Sequence, residues 1–283
     1  MSNADTATIA AAPPRNARRV VRMWAAVWER RYGIATFVVL FLAWEFLTWR
    51  AGVPEYLLPR PSIIARELAT RWARVSANVG STTIEIVLGY ILAIVVSIPL
   101  ALAIAHSRFI EKTAYPVIVF LQIIPKIALA PLFIIWFGIG ITPRVLIVFL
   151  LCFFPIVIAS IAGFRSVRPE IMELARSTGA GRWLMFRKIS VPSALPSIFT
   201  GLKVAAALAA TAAVVSEFVA SDRGLGYLLL EFQGELNIPM VFGIIVLLSF
   251  IGLVVYYLVE LIERLTIPWH VSQRAHGTTV GTM

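Results

Sequence analysis

Apolar residues in this chain fall in long blocks separated by short polar intervals, without the mixed polar faces of a soluble helical domain. Six blocks come near the roughly 20 apolar residues needed to cross a bilayer core. They run roughly Gly33–Trp49, Ile84–Ile104, Ala114–Ile139, Val145–Phe164, Ser197–Val219 and Val241–Leu261. The pattern predicts an all-α, polytopic membrane protein with about six transmembrane helices. The first block is the shortest, and no convincing small-x-small cleavage site follows it, so it reads as an uncleaved span. Residues 1–14, rich in Ala, Thr, Asn and Pro, read as a disordered tail.

Two polar intervals have structure of their own. Between Phe164 and Ser193, a helix-forming run from Glu170 to Arg176 meets glycines at 179 and 181. A second helix-compatible run follows and is expected to stop at Pro192, giving two short helices joined by a glycine turn. Such a hook at a membrane face suits contact with another protein. The interval from Arg50 to Thr82 holds Leu58-Pro59-Arg60-Pro61-Ser62 ahead of an amphipathic run, which predicts a helix lying on the membrane surface.

Composition supports the membrane class: of 283 residues 59% are hydrophobic, 14% are charged, and the mean hydropathy is +0.86. The net charge of +10 does not indicate nucleic acid, because the basic residues flank apolar blocks without forming an aromatic-interleaved stripe. It does set the topology. With the N-terminus inside, 16 basic residues fall on the inner side and 7 on the outer. The positive-inside rule then places the hook and both termini in the cytoplasm. The first outer interval, with Arg50, Arg60, Arg66, Arg71 and Arg74, departs from that rule.

The chemistry of catalysis is missing. None of the lysines, Lys112, Lys126, Lys188 and Lys203, follows a glycine, so a Gly-Lys-Ser/Thr phosphate loop is excluded. His106, His270 and His276 lack metal-ligand spacing, and no Gly-x-Ser-x-Gly elbow occurs. No metal or cofactor is expected. Cys152 lies within an apolar block and reads as a small buried hydrophobe. Within the blocks, the third carries Pro116, Pro125 and Pro131 around Lys126, an ionisable residue at membrane depth. The fifth repeats Gly201, Ala205, Ala209 and Ala213 every four residues, a stripe that permits close helix approach. Its partner is a second protomer or a neighbouring span, with a dimer-proximal face favoured.

Glu173, Ala175, Gly179, Ile189 and Pro192 fall on the spacing of the EAA loop, and the chain resembles the membrane subunits of bacterial ATP-binding-cassette importers. Leu174 and Val191 depart from that motif. Leu58 to Ser62, Ile124 to Leu132 with Trp136-Phe137-Gly138, Thr200 to Lys203, Gly224 to Tyr227, and Glu263-Arg264 with Pro268-Trp269 are similar to the nitrate/sulfonate/taurine/pyrimidine-precursor branch. Tyr256 and Glu260 differ from the sulfonate and taurine pattern and resemble the hydroxymethylpyrimidine and riboflavin type.

The resemblance implies a type I importer permease: a cytoplasmic tail (1–32), a transmembrane domain (33–265) with a coupling loop (165–192), and a C-terminal tail (266–283). It implies two copies of an ATPase subunit, an extracytoplasmic solute-binding protein, a second copy of this chain, and the lipid of a bacterial inner membrane as partners. The chain itself would be non-catalytic. Pro125, Lys126, Pro131 and Glu217 are the candidate path residues, and uncharged or heteroaromatic solutes are favoured. The alternative is an ion-coupled secondary transporter using Glu45, Glu85, Lys126 and Glu217, which leaves the hook unexplained.

Overall fold

A computed structural model describes residues 35–268, which are helical with no strand among them. The N-terminal tail, the first two residues of the first predicted span, and the C-terminal tail from Trp269 onward lie outside the described residues. The chain divides into two compact units, residues 1–63 and 64–283.

In the first unit, helix α1 covers residues 35–50. Its Glu45 accepts hydrogen bonds from the Ser62 backbone N–H at 3.0 Å and the Ser62 hydroxyl at 2.7 Å. Glu45 thus caps the start of α2 (Pro61–Thr70). An anionic cap is favourable against the unpaired N–H groups of a helix N-terminus, and proline suits the first position because its missing N–H would be unpaired anyway. This explains the proline-flanked entry motif and gives Glu45 a structural task.

In the second unit, α3 (Trp72–His106) leads to α4 (Arg108–Ile123), a 3-10 turn (Lys126–Leu129) and α5 (Ala130–Phe137). Then come α6 (Ile141–Phe164), α7 (Pro169–Ser177), α8 (Arg182–Met185), a π-turn (Phe186–Ser190) and α9 (Val191–Ala220). Helices α10 (Leu225–Gly234) and α11 (Ile238–Thr266) complete the unit. Among the described residues four helices are long and apolar enough to cross a membrane, or five if the bent α4–α5 pair is one span.

Two prolines have opposite outcomes, and the second differs from the sequence expectation. The third block is not one continuous helix but bends by 89° between α4 and α5. Ile124, held in extended geometry (φ −61°, ψ 132°) by the proline that follows, ends α4. Pro192, in contrast, does not stop the second hook helix. The run Arg182–Val219 is one long helix. The π-turn ahead of Pro192, in which the Val191 N–H bonds the Phe186 carbonyl, widens the spiral where proline lacks a donor and crowds the preceding turn.

Helices α3, α6 and α9 form the centre of the fold, and glycines bring them together. A Cβ on Gly201 of α9 would stand 2.6 Å from the Ala159 side chain and 2.9 Å from the Pro155 carbonyl of α6. One on Gly163 of α6 would stand 2.7 Å from the Ala194 carbonyl of α9. Ala205, Ala209 and Ala213 are fully buried in the same core with Cys152 and Ile156. Gly201 therefore packs on α6 of the same chain, and the alanines of the stripe are buried within that chain's own core. At the far end of α11, Gly243 admits Ile64 and Leu68 of α2 at van der Waals distance, so α2 has a protein neighbour on one face.

The Gly201 contact should tolerate no side chain. Gly201→Leu is expected to cost about 1–3 kcal/mol or more through overpacking against backbone. Thermal unfolding of the detergent-solubilised protein should show a clear drop, whereas Gly80→Ala, with open space around it, should leave the midpoint nearly unchanged.

Candidate functional site

The hook between α6 and α9 closes through a glycine turn. Gly179 has φ +76°, a left-handed conformation that costs a side-chain-bearing residue roughly 1–2 kcal/mol. The Ala180 N–H bonds the Ala175 carbonyl at 3.1 Å and the Gly179 N–H bonds the Arg176 carbonyl at 2.9 Å. These are the paired bonds of a Schellman cap, which satisfy the last carbonyls of α7. Gly181 has φ −66° and simply begins α8.

The two hook faces differ. Met172 and Ala175 of α7 are half-buried, Met185 beyond the turn is buried, and Ile189 and Pro192 are half-buried. On the other face Ile171, Leu174, Trp183 and Leu184 are exposed, Trp183 at 72%. Glu173 is exposed, and its carboxylate makes no hydrogen bond or ion pair within the described residues.

The neck of the hook is held firmly. Arg165 pairs with Glu111 of α4 at 2.8 Å and lies 5.7 Å from the Tyr115 ring. His106 at the end of α3 meets the Phe186 ring edge-on at 5.6 Å. With the Gly163–Ala194 approach, these contacts tie both hook strands to the central helices.

At the break of the third block, Lys126 is half-buried. Its ammonium donates to the Gln122 carbonyl at 2.6 Å and sits 4.7 Å above the Phe154 ring. A lysine there satisfies a carbonyl left open at the end of α4. Pro125 and Pro131 are exposed on either side, Pro131 within the first turn of α5.

The end of the second unit opposite the hook contains a buried polar cluster that joins four helices. Arg144, one turn inside α6, donates to Glu85 of α3 at 2.5 Å, and both side chains are almost fully buried. The same guanidinium bonds the Ser221 hydroxyl at 2.8 Å and the Gly140 carbonyl at 2.9 Å. Glu217, 1% exposed, accepts from the Thr82 hydroxyl at 2.6 Å and from the Gly226 N–H. Thr82 also receives the Leu225 N–H at 2.8 Å, and Asn78 receives the Gly224 N–H at 2.6 Å. Side chains on α3 and α9 therefore cap the N-terminus of α10. Side chains at Gly224 and Gly226 would collide with the Glu217 carboxylate, which accounts for the Gly-Leu-Gly motif. The structure thus groups Glu217 with Thr82 and Gly226, and separates it from Lys126.

Other pairings were not legible in sequence. Lys203 pairs with Glu263 of α11 at 2.9 Å. The arginines that break the positive-inside count are partly neutralised. Arg71 pairs with Glu67 at 3.4 Å and Glu235 at 3.7 Å, Arg74 pairs with Glu231, and both guanidinium groups lie over the Phe232 ring. The only advance signal was an ionisable residue inside an apolar block, which announces a partner without naming it.

Among the described residues, four to five apolar spans, a broken span and a protruding helical hook make a polytopic membrane protein. More narrowly, the chain belongs to the family described as the inner membrane component of binding-protein-dependent transport systems, whose pattern matches residues 86–267. It is an ATP-binding-cassette importer permease subunit. It is 36% identical over 242 residues to a riboflavin transport system permease protein of Chloroflexus aurantiacus, covering 84% of this chain and 89% of that one. It is 35% identical over 238 residues to a formylaminopyrimidine transport permease protein of Halalkalibacterium halodurans, covering 84% and 95%. In fold it is similar to a chain of the MetNI methionine transporter in an inward-facing conformation. The TM-score is 0.61 with 17% identity, covering 69% of this chain and 97% of that one.

The cluster at the end opposite the hook should respond as a buried ion pair. Arg144→Met leaves Glu85 buried without its cation and is expected to cost about 3–5 kcal/mol. The double variant Glu85→Met/Arg144→Met should recover most of that loss. A double-mutant cycle on thermal stability reads the coupling directly.

Proposed function

We propose that the hook docks on a separate ATPase subunit and carries its ATP-driven motion into the membrane helices. The observation that carries this reading is the exposed set Ile171, Leu174, Trp183 and Leu184 on a turn whose neck is locked to α3, α4, α6 and α9. Apolar side chains left in water at the tip of a polar element suit burial against a partner. Glu173, with a carboxylate unused inside the chain, would face a basic group there, while Gly179 permits the fold-back. Ala175, Ile189 and Pro192 belong to the supporting face.

In this reading two copies of the chain form the path, two ATPase subunits supply ATP hydrolysis, and an extracytoplasmic binding protein delivers the solute. The hook and both termini face the cytoplasm of a bacterial cell, following the basic-residue count, and the chain performs no chemistry itself. Closure of the ATPase pair would rock α6 and α9 as one body between inward- and outward-facing states. Pro125, Lys126 and Pro131 shape the break beside the path, where the captured ammonium of Lys126 fixes the bend. Glu217 pins the outer end. Burial of Glu85 and Glu217 away from water supports this reading over an ion-coupled transporter, which needs carboxylates that exchange protons. The relatives named for riboflavin and formylaminopyrimidine support a neutral heteroaromatic solute.

Two outcomes test this in proteoliposomes containing the reconstituted complex with its ATPase and binding protein. Gly179→Val should insert normally but lower ATP-dependent uptake about tenfold, given the cost of a left-handed valine; full uptake would remove the docking role. Lys126→Met should lower thermal stability and leave solute preference unchanged, and a changed preference would place the lysine's charge on the path.

A further inference from the structure

Between α9 and α11 lies a cleft of about 540 Å³, within the usual range for small-molecule sites. Ala207, Ala210 and Gly252 make the room. A Cβ at Gly252 would already stand 3.2 Å from that of Ala210. Leu229 of α10 closes one end.

The walls are apolar except for the hydroxyls of Thr211, Ser249 and Tyr256. The Ser249 hydroxyl donates to the Ile245 carbonyl at 2.8 Å and keeps its acceptor lone pairs. The hydroxyls of Thr211 and Tyr256 have no hydrogen-bond partner among the described residues. Thr211 is exposed and Tyr256 half-buried; where this face meets hydrocarbon, a hydroxyl without a partner would cost on the order of 1–3 kcal/mol. A lipid tail would leave the cost in place. A solute with donors and acceptors removes it.

No charged residue lines the cleft. The charges of the neighbouring spans are engaged elsewhere: Glu85 with Arg144, Lys203 with Glu263, and Glu217 at the start of α10. A charged solute entering here would lose its hydration with nothing to replace it. The Tyr256 ring, half-buried at the wall, offers a flat apolar face.

We propose that the α9–α11 cleft is a solute-binding station for a neutral, flat, hydrogen-bonding heteroaromatic molecule, held by the hydroxyls of Thr211, Ser249 and Tyr256. This rests on the importer reading and adds to it a site and a rule of selection.

The test uses the reconstituted complex with Ser249→Cys, probed with a membrane-impermeant methanethiosulfonate; Cys152, fully buried, keeps the unmodified chain as a silent control. The cysteine should label from the aqueous phase, and riboflavin should slow labelling several-fold while taurine does not. Labelling that riboflavin leaves unchanged, or that taurine slows instead, would overturn the solute class. Failure to label would overturn the site itself. Quenching of a bimane at 249 by brominated lipid tails would then assign the cleft to lipid, and a 249–249 disulfide between copies would assign it to the dimer interface. Tyr256→Phe should raise KM for riboflavin uptake several-fold with kcat little changed, whereas an unchanged KM would remove the hydroxyl from the site. If the unmodified complex showed no ATP-dependent uptake of any solute, the importer reading would fail. The labelling and protection results would still report on the cleft.

Discussion

The close approach of α6 and α9 is the constraint on which the rest of this molecule depends. Helices in a bilayer gain little from hydrophobic burial, because lipid tails are as apolar as leucine, so association relies on packing and on hydrogen bonds. Here Gly201 lies against Pro155 and Ala159, and Gly163 lies against Ala194, bringing the two backbones within side-chain-free distance. Alanines at 205, 209 and 213 are buried in the same core. The hook hangs from the ends of these same two helices, so its position is fixed by that contact before any partner is met.

The prolines show how local geometry divides one chemical fact into two outcomes. Pro125 forces Ile124 into an extended conformation, and the helix breaks with an 89° bend. Pro192 follows Val191, which stays helical at φ −63° and ψ −52°. There the π-turn absorbs the missing donor and the helix continues. The first outcome leaves a carbonyl that Lys126 takes up. The second transmits the hook directly into α9 as one long rod, which suits a lever better than two jointed helices would.

Polar groups at membrane depth are handled with the same economy. Glu85, Arg144 and Glu217 share one sealed cluster, and Lys203 has Glu263. Each pair joins different helices, so each also fixes how those helices face one another. The hydroxyls of Thr211 and Tyr256 stand outside this rule. They give the α9–α11 cleft its interest, since both line one cavity that has room for a molecule to bind them.

The apolar blocks, the basic asymmetry and the spacing from Glu173 to Pro192 were enough to read an all-helical permease with a protruding hook. Gly179 was legible because only a left-handed turn folds two short helices back so tightly, and it has that conformation. The Gly201 stripe was legible as a contact but not as a contact with α6, since periodicity gives a face and never its neighbour. Arg144 was counted with the outer loop, because one turn of helix beyond the apolar block is invisible to hydropathy. Glu85, Glu217 and Lys203 announced themselves as ionisable groups at depth, while Arg144, Thr82 and Glu263, which meet them, lie 59 or more residues away in the chain. Local sequence determines what each helix is made of and which side it must cover. Which side meets which, and so where the charges cancel and where a cleft stays open, is decided by packing between segments far apart in sequence.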